Sequence, residues 1–188
     1  MIDERSALFS ELSELFVYPD DASAISDKAR KIARWIEKAD VPTAMELEAF
    51  ADHVDEFETK SLQELYVGTF DIGKTTTPYM GHLVLGESFN RGNLLSRLKD
   101  TYREYGVEDD TDLPDHIANI LKFISVAGTD KEVVQELLTY ILLPGILSLL
   151  PHLQKVSDEN PYYHIFKAVK KIVEPLAVSI PDSKEPES

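Results

Sequence analysis

Along most of this chain apolar residues recur at mixed steps of three and four. That period lines one face of an α-helix, whereas a half-buried strand alternates with period two. Leu8, Phe9, Leu12, Leu15 and Phe16 form one such stripe. Ile25, Ala29, Ile32, Ala33 and Ile36 form a second, and Leu47, Phe50, Val54 and Phe57 a third. The pattern returns in residues 94–105, 117–124, 133–142 and 165–176. No segment alternates convincingly at strand length, and no internal repeat is visible. The expectation is an all-α fold, a single-domain helical bundle over residues 1–180. The tail PDSKEPES, residues 181–188, has no apolar anchor and reads as disordered.

Local signals place the helix ends. Thr43 with Glu46, Ser61 with Glu64, and Thr129 with Glu132 each fit a capping box, in which hydroxyl and carboxylate satisfy free backbone N–H groups. Gly106 reads as a helix stop after Tyr105. Pro144 removes a donor inside an apolar helical run, so a kink or break is expected there. Residues 71–78, DIGKTTTP, and 107–114, VEDDTDLP, read as loops. The apolar run over residues 137–150 is short for a bilayer, and MIDERSALFS lacks an apolar signal core. A soluble, cytoplasmic protein with no integral membrane segment is expected.

Composition bears on partners. With 34 acidic against 19 basic residues the net charge is −15. Such a surface repels nucleic acid and anionic lipid. It either attracts basic partners or serves solubility alone. There is no Cys, which excludes disulfides, thiolate nucleophiles and Cys-ligated metals. The histidines at 53, 82, 116, 152 and 164 are scattered and form no HExxH pair. No G-x-S-x-G elbow occurs. Gly68, Gly73, Lys74 and Thr75 fit the phosphate-loop pattern. That loop needs a strand before it and a helix after it. Here a helical segment precedes it and Pro78 follows, so nucleotide chemistry is not expected. No catalytic residue, metal or cofactor emerges.

Two pairs remain. Asp115 and His116 are neighbours, so on a helix they diverge by about 100° and make no relay. Asp115 suits a first-turn carboxylate with Pro114 near the helix start, a reading that leaves His116 unexplained. Glu87 and Arg91 stand four apart and can pair. Exposed, the pair stabilises little; buried, it is a specific structural or binding element.

Three blocks carry a family resemblance: ELYVGTFD at residues 64–71, HLVLGESFNRGNLLSRLKDTYREYG at 82–106, and DLPDHIANILKFIS at 112–125. Together they resemble the delta-subunit assembly chaperones of respiratory nitrate reductases, the NarJ type, related to the TorD and DmsD maturation chaperones. The resemblance implies a TorD-like helical fold without enzymatic activity. It implies a partner: the catalytic subunit of a molybdenum oxidoreductase, a nitrate reductase alpha subunit or a relative, bound through its N-terminal or twin-arginine leader peptide. Carried over by motif, Asp115, His116 and Pro114 become the peptide site, with Glu87 and Arg91 as groove-forming or groove-fixing residues. Tyr66 and Phe70, four apart, either line an apolar pocket or belong to the core. Long helices joined by loops are compatible with a monomer or a domain-swapped dimer.

Overall fold

The computed structural model describes residues 4–70, 76–107, 113–156 and 160–177. Among them, regular structure is helical apart from one isolated antiparallel bridge between Tyr79 and His116. The helices are α1 (Glu4–Ser13), α2 (Ala22–Ile36), α3 (Val41–Asp55), α4 (Thr59–Phe70), α5 (Met80–Leu85) and α6 (Phe89–Glu104). They continue with α7 (Ile117–Ala127), α8 (Glu132–Leu137), a π-helical turn (Leu138–Leu142), α9 (Leu143–Val156) and α10 (Pro161–Val173). The all-α expectation is met.

The stripes read from sequence are the buried faces. α2 buries Ala29, Ile32 and Ala33, and α3 buries Leu47, Phe50 and Val54. α7 buries Ile117, Ile120, Leu121 and Ile124, and α10 buries Ile165, Phe166, Val169 and Val173. Each large apolar side chain removed from water contributes roughly 1.5–3 kcal/mol, so these faces decide how the helices assemble. α2 lies against α3, and α3 against α10; α10 also meets α9. α1 packs on α7, and α5 fits between α6 and α9. The α5–α9 crossing is close because Gly145 has no side chain: a Cβ there would stand 3.3 Å from the Met80 backbone oxygen.

The helix starts differ from the capping boxes expected. α3 is capped by Asp40, whose side chain accepts the Thr43 N–H at 3.1 Å, so Thr43 lies inside the first turn. Asp40 outcompetes Thr43 as an acceptor, and Pro42 in the first turn marks the earlier start. Ser61 lies within α4, which begins at Thr59. α8 begins at Glu132 after Lys131, and Thr129 contributes only its carbonyl, to Gln135 Nε2. Gly106 follows α6 with φ +71°, as expected of a left-handed stop.

Pro144 does not break the helix. The chain accommodates it with the π-turn immediately before, where Leu143 N–H donates to the Leu138 carbonyl five residues back. The result is a continuous helix from Glu132 to Lys155 of 24 residues, long and apolar enough by length and composition to cross a membrane. The short-run reading of residues 137–150 is corrected accordingly. This helix buries Val134, Leu138, Leu142, Ile146, Leu149 and Leu153 within the protein core.

Candidate functional site

The segment entering α5 runs beside the segment entering α7. Met80 N–H donates to the Asp115 carbonyl at 2.8 Å and Ile117 N–H to the Pro78 carbonyl at 2.9 Å. These bonds satisfy groups that a helix start leaves without intrahelical partners, and they fix the two starts together. His116 is the N-cap of α7; its Nδ1 accepts the Ala118 N–H at 3.2 Å. The ring is 2 % exposed and stands edge-on to Tyr79. Asp115 therefore precedes the cap and is not a first-turn carboxylate. Pro114 is buried, and its carbonyl accepts the Tyr102 hydroxyl at 2.8 Å, tying this segment to the end of α6.

Asp115 has 0 % exposure and pairs with Arg91, itself 7 % exposed. Arg91 Nε donates to Asp115 Oδ2 at 2.9 Å and Nη2 to Oδ1 at 3.4 Å, the fork that suits a guanidinium to a carboxylate. The guanidinium also lies 5.8 Å from the Tyr79 ring centroid. Burial pulls the Arg91 pKa down, but the hydrogen bond and charge of Asp115, with Glu87 and Tyr79, outweigh it and hold it above its ordinary value.

Arg91 occupies the first turn of α6, where Ser88 caps its backbone N–H at 3.3 Å. Its Nη1 donates to Glu87 Oε1 at 2.5 Å, and His82 Nδ1 lies 2.9 Å from the same oxygen. Glu87 stands outside the helix with its side chain 76 % exposed. The question left open by sequence thus has a split answer: Arg91 is buried, Glu87 faces solvent.

Gly81 is a residue that sequence reasoning missed. A Cβ there would lie 2.7 Å from Asp115 Oδ2 and 2.8 Å from Leu94 Cδ2. Only a glycine lets α5 pass the ion pair. A glycine inside an apolar helical segment, where it costs about 1 kcal/mol relative to alanine, was the available signal.

Leu94 leads onward. One helical turn past Arg91, it opens a groove of about 190 Å³ between α6 and the α8–π segment. Leu94 and Leu98 form one wall, with Val133, Leu137, Tyr140 and Ile141 opposite. Arg97 and Glu136 stand among its polar lining, and Tyr140 is 55 % exposed. The groove joins helices remote in sequence and has no linear motif.

The expected site residues therefore divide. Glu87, Arg91, Pro114, Asp115 and His116 come together. Phe70 belongs to the aromatic core, 4.8 Å from Tyr162 between centroids, and half-buried Tyr66 packs against it, donating to the Phe16 carbonyl at 3.0 Å. Of the phosphate-loop pattern, Gly68 lies in α4, so a helix and not a strand precedes it. Gly73, Lys74 and Thr75 lie outside the described residues, as do residues 108–112 and the tail 181–188. Among the described residues no group of three His, Asp or Glu side chains could hold a metal.

The family model described as nitrate reductase delta subunit matches residues 36–140. The Bacillus subtilis (strain 168) protein named "Probable nitrate reductase molybdenum cofactor assembly chaperone NarJ" is 32% identical over 127 residues, 66% of this chain and 67% of that protein. A crystal structure described as a "putative redox enzyme maturation protein" from Archaeoglobus fulgidus superposes with a TM-score of 0.56. It covers 92% of this chain and 94% of that one at 21% identity, a likeness of fold.

Proposed function

The chain belongs to the nitrate reductase delta-subunit family, and from that premise we propose that it is a cytoplasmic assembly chaperone for a molybdenum oxidoreductase, without turnover of its own. Its client is the catalytic subunit of a nitrate reductase or a related enzyme. It binds that subunit's N-terminal or twin-arginine leader and keeps the subunit competent for cofactor insertion before assembly or export.

The observation that supports this reading most is the apolar α6–α8 groove, which begins at Leu94, one turn past the Arg91 that pairs with a solvent-facing acid, Glu87. A leader that is apolar along one helical face and basic at one end matches both features. Its apolar side chains would displace water from Leu94, Leu98 and Tyr140, while its cation meets Glu87. Asp115, Arg91, Pro114 and His116 act in this reading as positioning residues. Buried, with Arg91 bonded to Asp115, Pro114 to Tyr102 and His116 to Ala118, they hold the starts of α5, α6 and α7 in the geometry that presents Glu87 and the groove.

Calorimetric titration of the folded chain with the N-terminal peptide of a molybdenum oxidoreductase catalytic subunit tests it, alongside capture of the whole subunit. Tyr140→Glu and Glu87→Lys change exposed positions and should each weaken binding about tenfold, roughly 1.4 kcal/mol, with helicity unchanged. A folded chain that takes up neither peptide nor subunit at micromolar concentration would sink the proposal.

A further inference from the structure

A second groove, of about 310 Å³, lies on a different pair of helices, α2 and α3. Ala33 and Ala44 are its buried lining. Met45 and Val41, also lining it, are 66 % and 55 % exposed, so two large apolar side chains stand in water at one place. Met is unbranched and polarisable and fits irregular apolar partners. Glu37, Glu48 and Asp52 line the same groove. The nearby cation Arg30 is shared: it lies 3.6 Å from Glu48, 2.7 Å from Asp52 and 2.8 Å from Asp55. Arg30 offsets part of this charge, but the charged residues of the lining itself, Glu37, Glu48 and Asp52, are all acidic.

We propose that the α2–α3 groove is a second docking surface, taking a cationic amphipathic helix of a partner protein. Leucine-like side chains of that helix cover Met45 and Val41, and its arginines or lysines meet Glu37 and the Glu48–Asp52 edge. Charge selects this occupant over a second copy of the chain. With a net charge of −15, another copy would bring a second acidic surface against the first. The α2–α3 pair is preformed, each helix packed on the other along its buried face, so docking needs little reordering of the host.

The probe is a synthetic helical peptide with leucines along one face and arginines on its flanks. Calorimetry measures binding, and substitutions in the groove lining, Met45→Asp and Glu37→Lys, locate it. The full chain should bind with a saturable heat. Met45→Asp and Glu37→Lys, both at exposed positions and both checked for unchanged helicity, should weaken binding about tenfold or more, and added salt should weaken it further. Exchanging the arginines for glutamates should abolish it, while Tyr140→Glu should leave the binding that depends on Met45 and Glu37 intact.

Binding that survives both Met45→Asp and Glu37→Lys, measured in the Tyr140→Glu background, overturns the proposal. Binding lost only with Tyr140→Glu overturns it too, and leaves the leader-binding reading standing. Sedimentation that reveals a peptide-free dimer dissolved by Met45→Asp assigns the groove to a second copy instead.

Discussion

Asp115 has 0 % exposure and faces a guanidinium that is 7 % exposed, and that burial sets what its substitution does. Asp115→Asn removes the charge that compensates Arg91 and leaves a cation in a poorly solvated place. The expected loss is about 3–5 kcal/mol in unfolding free energy, read from the urea midpoint at constant slope. Replacing both partners, Arg91→Met with Asp115→Leu, removes the desolvated charges together and should cost far less. Equal losses for the single and double variants would show that packing, not charge, dominates the site. His116 makes a smaller contribution. His116→Ala deletes the acceptor of the Ala118 N–H and should cost about 1 kcal/mol, with His116→Asn recovering most of it. A recovery seen with alanine-like residues but not with asparagine would argue against the cap. Neither Asp115 nor His116 offers much surface to a client, so their effects on binding should track the integrity of the α5–α7 junction.

Between elements, α3 and α10 are held by a polar staple as well as by packing. Glu46 of α3 accepts from Lys167 Nζ at 2.7 Å and lies 2.9 Å from His164 Nδ1, both on α10. Burial pushes the Glu46 carboxyl up, yet the hydrogen bonds and charges of Lys167 and His164 together outweigh it and hold its pKa below the ordinary glutamate value. The folded state therefore binds this proton less readily than the unfolded chain. The stabilisation is present above the unfolded value, about 4.3, and is lost as pH falls through the lower folded value. Urea unfolding across that acid range should show stability declining in the wild type and a flatter profile in Glu46→Gln. An unchanged acid limb in the variant would assign the decline to other carboxylates. The capping errors also belong at this scale. A box motif identifies groups able to cap, but Asp40, three residues before Thr43, takes the role because a carboxylate accepts backbone N–H groups more strongly than a hydroxyl.

For the molecule as a whole, the proposed leader binding divides into separable contributions from charge and groove. On that proposal the acidic surface would speed encounter with a basic leader, while apolar burial in the α6–α8 groove would slow release. Raising ionic strength from about 0.01 M to 1 M shortens the screening length from roughly 30 Å to 3 Å. Stopped-flow measurement should show association slowed strongly and dissociation changed little. Affinity that vanishes entirely at high salt would favour a generic acidic adaptor over a groove binder.

The sequence by itself determined the helical class, the buried faces of α1–α3, α6–α8 and α10, and the absence of cysteine chemistry. Its three motif blocks also carried the family resemblance. These are local properties: a period of three and four, a missing residue type and short ordered motifs are all readable along the chain. Tertiary structure alone decided that Arg91 turns to Asp115, 24 residues away in sequence, and that Glu87 is left facing water. It also met Pro144, where a kink or break was expected, with a π-turn just before it, and placed Gly81 where a side chain would collide with the ion pair. Both grooves arise the same way, as gaps between whole helices. Periodicity fixes which face of each helix is buried, but the partner that buries it, and the space left between them, follow only when all the faces pack at once.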